Sequence, residues 1–392
     1  MEQVLFRYNP WWEKGFKAEK TFKRTIIFEH LESTISLKQI VLLTGLRRVG
    51  KTTLMKQLIW HLIHIEKVDS KLIFYVSLDD YLLNDYSITE IIEEYRKIQR
   101  LSATEKVYLF LDEITYKKDF ELQLKNIYDK QVAKVYASSS SASILKSRKS
   151  FLTGRNIIIE ILPLDFTEYL EFKGIEVKKS DTHLLEGYFE DFMQTGGMPE
   201  YVLTGNIEYI KELVDDIIQK DIAVFYGIKD VQILKDYFLL LMERSGKVLS
   251  INKIAKILDI SPDSAKRYLQ MFADAYLIFL ISRAGKTNER LLSAKKIYAA
   301  DLGIRCHFTG YRDKGSLFEN YVFLKIKKWL PSYVYQDGNE IDFLIDKKIL
   351  IEVKYNAEMN KKQEKLFESI VVEKKIILNN ISDLEKLNNL SL

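Results

Sequence analysis

Cysteine is almost absent: Cys306 stands alone in 392 residues. A single thiol excludes an intramolecular disulfide and any cysteine-rich zinc module, and it fits a reducing compartment. Cys306 therefore reads as a small packed side chain. Proline and glycine are also sparse, at 5 and 16, so there is no low-complexity linker. No internal repeat is visible either, and boundaries have to be read from changes in hydrophobic period. No apolar run approaches the length needed to cross a bilayer, and the start, MEQVLFRYNPWWEK, lacks the basic-then-apolar order of a secretion signal. The expectation is a cytoplasmic protein without membrane contact. Overall charge is small, +4, and by itself suggests no nucleic-acid partner. Residues 241–300 differ, with eleven Lys and Arg against five Asp and Glu. A segment this basic can meet phosphates through counterion release, although scattered lysines usually mark a solvated surface.

What is present is apolar content of 47% with 29% charged residues, the balance of a folded chain with room for two to four compact units. Between residues 25 and 165 short apolar runs alternate with amphipathic segments. QIVLLTG, KLIFYVSLDD, KVYLFLDEI, AKVYASSS and NIIIEIL read as strands, the signature of an α/β unit with a parallel sheet wrapped by helices. After ILPLDF the period turns helical through HLLEGYFEDFMQTGG and YIKELVDDIIQKDIAVFYG, which predicts a helical lid over 166–233. Residues 234–300 read as a winged helix-turn-helix. In it Ser261 caps the second helix, Pro262 opens it, and Ala265, Tyr268, Leu269 and Phe272 form its inward face. Lys266, Arg267 and Gln270 then point outward toward a DNA groove, with RAGKTNER as a basic wing. Residues 301–392 return to mixed helix and strand, and residues 1–24 form an N-terminal arm. Within the arm Trp11 and Trp12 read as a hydrophobic anchor rather than a base-stacking platform.

Gly45-Leu-Arg-Arg-Val-Gly50-Lys51-Thr52 matches G-x-x-x-x-G-K-[ST], directly after an apolar strand and before the helix TTLMKQLIWHLI. Glycines let backbone N–H groups curl around phosphate oxygens, and the helix start adds its positive dipole end. Gly45, Arg47, Arg48, Val49, Gly50, Lys51, Thr52 and Thr53 are the expected nucleotide-binding set. Lys51 is expected to reach the β- and γ-phosphates of ATP, and the Thr52 hydroxyl to bind Mg2+. KVYLFLDEI then ends on Asp112 and Glu113, expected beside the phosphate loop, the first in the Mg2+ shell and the second as general base. A hydroxyl of the AKVYASSSS strand end, taken as Ser140, is expected to touch the γ-phosphate or orient water. Arg155 of LTGR reads either as a residue reaching a neighbouring subunit's γ-phosphate, which implies a homo-oligomer, or as a surface arginine at a helix end.

GLRRVGKTT, LFLDEI, the serine-rich strand end, LTGR, LPLDFTEYL, QTGGMPEY and YAADLGI together resemble the AAA-type P-loop ATPases of bacteria and archaea that carry a C-terminal domain of unknown function. The resemblance covers almost the whole chain and implies an AAA+-like core with a helical lid. It also implies that the GG-x-P turn lies against adenine, which nominates Met198 and Pro199. One departure is the sensor strand, often Thr-Gly-Ser-Ser in relatives and Ser-Ser-Ser-Ser here.

The run NEIDFLIDKKILIEVK, residues 339–354, supplies the residue set of PD-(D/E)xK metal-dependent nucleases. Asp342 and Glu352 are candidate Mg2+ ligands, Lys354 would position water or stabilise phosphate charge, and Glu319 of SLFENYVFLKIKKWL is available as a further ligand. Glu352 and Lys354 share one strand face and Val353 enters the core. The competing explanation is an ordinary half-exposed hairpin, whose charged and apolar residues alternate in the same way. Two functional readings follow. One is an ATPase coupled to DNA binding and DNA cleavage; the other is a nucleotide switch or DNA-binding regulator with an idle nuclease-like domain.

Overall fold

Each of the five apolar runs of the first 165 residues becomes a strand, because Val, Ile, Leu and aromatic side chains buried on both faces suit a helix-covered parallel sheet. They are β1 (Ile40–Thr44), β2 (Ile73–Ser77), β3 (Val107–Asp112), β4 (Ala133–Ser139) and β5 (Asn156–Glu160), all pairing in parallel in the order β2-β3-β4-β1-β5. The computed structural model describes residues 1–13, 22–141, 152, 154–388 and 390. It divides into two units, Met1–Ile161 and Leu162–Leu392. Residues 14–21 of the expected arm and Thr153 of LTGR lie outside the described residues.

The arm covers the open edge of β2. Helix Glu2–Tyr8 buries Val4 and Leu5. The Asn9 side chain then pairs with Tyr75 as a strand would, donating to its carbonyl at 2.8 Å and accepting from its N–H at 2.7 Å. An edge closed in this way offers no template for another strand. Both indole N–H groups donate to the Ile73 carbonyl, and the Trp12 ring stacks 5.6 Å from Tyr95, so the tryptophans are docked onto the edge.

The second unit begins with helices Phe166–Phe172, Leu185–Thr195, Pro199–Thr204 and Ile207–Asp216. The last continues through a π-helical stretch, Ile217–Val224, before helix Val231–Glu243. Helices Ile251–Ile257 and Pro262–Asp274 follow as a helix-turn-helix, with Ser261 accepting from the Ser264 N–H at 3.1 Å. Ala265, Leu269 and Phe272 are buried and Tyr268 half-buried, while Lys266, Arg267 and Gln270 are exposed. Beside them β6 (Lys247–Val248), β7 (Ile278–Ile281) and β8 (Lys296–Ala299) form an antiparallel sheet in the order β6-β8-β7. The second half of RAGKTNER, expected as a loop, starts helix Thr287–Leu292.

Helices Leu302–Thr309 and Lys314–Ile326 lead to β9 (Ser332–Gln336), β10 (Asn339–Ile345), β11 (Ile349–Val353) and, after helix Lys361–Ser369, β12 (Lys374–Leu378). β9, β10 and β11 meander antiparallel, and β12 returns parallel to β11. Phe318, Val322 and Phe323 cover one sheet face, against Phe343, Ile351 and Val353; Leu366 and Phe367 cover the other, against Ile341 and Leu350. All five residues of β11 are buried, so it is not the half-exposed strand that alternation alone allows. Among the described residues no helix is long and apolar enough to cross a membrane.

Candidate nucleotide site and carboxylate cluster

The loop after β1 is shaped by close approach. Gly45 has φ of 139°, and a Cβ there would stand 2.1 Å from the Ile161 carbonyl oxygen, so no other residue fits without moving the backbone that follows β5. Gly50, at φ 99°, caps helix Lys51–His64. Lys51 is buried, and its ammonium donates to the carbonyls of Gly45 at 3.0 Å and Leu46 at 2.9 Å. Val49 is buried, Arg47, Thr52 and Thr53 are half-buried, and Arg48 is exposed. From outside the motif, the buried Arg24 donates to the Val49 carbonyl at 3.2 Å. Nothing in the sequence pattern marks that brace.

The acidic pair reaches the phosphate loop from a strand that is not its neighbour. β3, which carries the acidic pair, is not next to β1; β4 lies between them, and Asp112 meets both Thr52 at the helix start and Ser138 of β4. Asp112 is a hub: Thr52 Oγ1 donates to it at 2.5 Å, Tyr75 OH at 2.8 Å, and Ser138 Oγ also donates to it. Burial and the Asp112 charge push the Tyr75 phenol far above its ordinary range, so it remains a donor. Glu113 sits in the left-handed region at φ 49°. Its N–H donates to Ser138 Oγ at 3.0 Å, and its carboxylate receives Ser140 Oγ at 2.6 Å and the Ser140 N–H at 3.2 Å. Ser140 thus holds Glu113, and Ser138, which the sequence pattern does not single out, joins both acids. Its neighbours in a run of four serines are chemically identical, so only register could separate them.

Arg155 stands just before β5, whose first residue, Asn156, is paired with Ile40 at the start of β1. It is therefore at the end of the sheet opposite the phosphate loop of its own chain. Its Nε donates to Asp129 at 3.2 Å, and its guanidinium lies 5.9 Å from the Tyr128 ring centre.

Met198 and Pro199 belong to the second unit, where Met198 is fully buried and Pro199 opens helix Pro199–Thr204. The GG turn before them meets the YAADLGI segment. Asp301 accepts from the Gly197 N–H at 2.6 Å and from the Ile304 N–H at 2.8 Å, and a Cβ on Gly303 would stand 1.9 Å from the Thr195 carbonyl oxygen. Burial pushes the Asp301 carboxyl up to about 6, against the pull of the Gly197, Ile304 and Gly303 N–H groups. Cys306 is buried on the following helix, and burial pushes its thiol up to about 12.

The C-terminal residues do converge, with a further member. Lys296 of β8, 1% exposed, places its ammonium 2.7 Å from Glu319, 2.5 Å from Glu340 and 3.0 Å from Asp342. Asp342 lies where the β9–β10 register shifts between Ile341 and Leu344, a bulge that turns its side chain inward. Its carboxylate accepts the Val353 N–H at 3.0 Å. Glu352 is fully buried and accepts from Lys354 at 2.6 Å, Gln363 at 2.6 Å and the Asp342 N–H at 3.2 Å. Burial and the Asp342 charge push Glu319 up to about 7 and Glu352 up to about 8. Burial pulls Lys296 down, but Asp342, Glu319 and Glu340 outweigh it and hold the ammonium well above its usual range. Beside Glu319, Asn320 is buried and staples β8, bonding the Ala299 N–H and carbonyl at 2.9 Å each. Among the described residues no three His, Cys, Asp or Glu side chains converge in the manner of a metal site.

Residues 37–170 match the family model described as an AAA domain, so this part of the chain has an AAA-type P-loop fold. Residues 186–315 and 314–391 match two domains of unknown function, DUF8612 and DUF4143. Uncharacterized protein MJ1544 of Methanocaldococcus jannaschii is 31% identical over 377 residues, covering 90% of this chain and 83% of that protein. Uncharacterized protein MJ1637 of the same organism is 28% identical over 422 residues, covering 96% and 87%. Among solved structures, the Walker-type ATPase PABY2304 of Pyrococcus abyssi matches with a TM-score of 0.44 at 15% identity, over 74% of this chain and 96% of that one.

Proposed function

We propose that this chain, which belongs to the family of uncharacterized protein MJ1544 and carries an AAA domain, binds ATP with Mg2+ and hydrolyses it. The observation that carries this reading is the hydrogen-bonded set formed by Thr52, Asp112, Ser138, Glu113 and Ser140 across β3, β4 and the start of helix Lys51–His64. Thr52 Oγ1 and the Asp112 carboxylate are hard oxygen donors 2.5 Å apart, a donor set that suits Mg2+. Held by Thr52 and Asp112, Mg2+ would supply positive charge to the triphosphate. Lys51 exchanges the Gly45 and Leu46 carbonyls for phosphate oxygens, a stronger, charge-assisted pairing. Glu113, held by Ser140, accepts a proton from the attacking water. Phosphate release by wild type, and its loss in Glu113→Gln with ATP binding retained, tests this assignment. Unchanged turnover in Glu113→Gln overturns it.

Arg155, at the sheet end opposite its own phosphate loop, suits a role in a neighbouring copy's site, which makes the working form a homo-oligomer. For the second unit, the exposed Lys266 and Arg267 and the adjoining three-stranded sheet favour a winged helix that contacts DNA. The mixed sheet β9–β12 with Asp342, Glu352 and Lys354 favours a nuclease-like fold behind it. ATP turnover then drives rearrangement of a DNA-contacting module. DNA binding that is indifferent to removal of both Lys266 and Arg267 counts against that surface.

A further inference from the structure

The carboxylates required for a nuclease metal are already engaged in ion pairs within the protein itself. An ammonium group has three N–H donors and no acceptor, and those of Lys296 have three carboxylate partners, Glu319, Glu340 and Asp342, at 2.5–3.0 Å. Two of these, Glu319 and Asp342, are ligands that the nuclease-like reading needs. The third expected ligand, Glu352, is engaged by Lys354, Gln363 and the Asp342 N–H. Lys296 is no surface side chain that happens to fold inward. It lies on β8, between β6 and β7, and Asn320 clamps the same strand at Ala299. The cluster is not sealed from ions: Glu340, with Arg283, Tyr333 and Tyr335, also lines a cavity of about 530 Å³.

We propose that Lys296 is the resident cation of this cluster: its ammonium fills the position a divalent metal takes in a metal-dependent nuclease, so the wild-type domain holds no Mg2+ or Mn2+ there and does not cleave DNA. The residue set therefore disagrees with the metal that its pattern implies. Without the Lys296 ammonium, Glu319, Glu340 and Asp342 form a hard-oxygen site with excess negative charge, which is what a divalent ion seeks. The functional consequence rests on the nuclease-like reading of β9–β12, whereas the cation assignment rests on the three ion pairs.

The test titrates Mn2+ into the nucleotide-free full-length protein and follows bound Mn2+ by electron paramagnetic resonance. Wild type is expected to show no saturable site that Asp342→Asn removes. Lys296→Met is expected to gain one, and Lys296→Met with Asp342→Asn to lose it again. A wild-type Mn2+ site abolished by Asp342→Asn overturns the proposal, as does a folded Lys296→Met protein that gains none. If Lys296→Met does not fold alone, Lys296→Met with Glu340→Gln relieves part of the repulsion and is read the same way; the wild-type titration decides the matter if neither folds. Plasmid DNA added to the Mn2+-loaded variant separates the two layers. Nicking supports both, and Mn2+ bound without nicking overturns the nuclease-like reading while the resident-cation assignment stands.

Discussion

Lys51 and Lys296 are both buried lysines, and their surroundings differ. Lys51 donates to the carbonyl oxygens of Gly45 and Leu46. Those acceptors are neutral, so an incoming phosphate offers the ammonium a better partner. Lys296 donates to three carboxylates, and any anion must displace partners already charged. The acids differ in the same sense. Asp112 is held by hydroxyls of Thr52, Ser138 and Tyr75, all neutral donors. Asp342 already faces an ammonium. Residue type is shared by the two places; what differs is the kind of group each ammonium meets, backbone carbonyls at Lys51 and carboxylates at Lys296.

The comparison breaks first at Lys296. Lys296→Ala is expected to destabilise the second unit by about 3–5 kcal/mol, because a buried pair that loses one partner leaves uncompensated charge. Urea denaturation followed by fluorescence measures this, and a loss below about 1 kcal/mol would mean the ammonium is dispensable. Lys51→Ala, by contrast, is expected to leave folding nearly intact and lower ATP turnover by about a hundredfold or more, the scale of one preorganised transition-state donor. Phosphate release at saturating ATP reads it out. Equal effects of the two substitutions on stability would erase the distinction.

Asp301 sharpens the comparison as a buried acid held by backbone N–H groups instead of a lysine. Its carboxyl is raised from 3.8 to about 6, chiefly by burial. A raised carboxyl stabilises the fold below its unfolded value, and that contribution is lost as pH rises through about 6. Asp301→Asn is expected to remove this part of the pH dependence between 4 and 6 and to cost about 2 kcal/mol at low pH, since one N–H then faces an amide NH2. Paired denaturation curves of wild type and variant across that window measure both. The smallest effect is at the surface: Lys266→Ala with Arg267→Ala is expected to lower the salt slope of DNA binding by about one for each phosphate no longer neutralised. A slope that does not change would place the DNA surface elsewhere.

Much of the first unit was legible because its signals are local. QIVLLTG and GLRRVGKTT lie next to each other in the chain, and the strand, the glycines and the helix start form one continuous motif. The acidic pair was legible as the end of an apolar strand, but its separation from β1 by β4 was not, since strand order depends on which helices pack over which faces. That order is what brings Ser138 against Asp112. Arg24, bracing Val49 from outside the motif, had no pattern to betray it. In the second unit the helix faces around Ser261 and Phe272 followed their period. GGMP and ADLG looked like two separate marks, and only packing joined them through Asp301.

By itself the chain's order of residues determined the strands, the phosphate loop, the acidic strand end and the acid-rich hairpin, because periodicity, glycine placement and neighbouring charges act over a few residues. Tertiary structure alone decided that Lys296, 46 residues before Asp342, enters the carboxylate cluster and that Gln363 closes it. Charge compensation in a buried site depends on distance through space, and separation along the chain does not encode it.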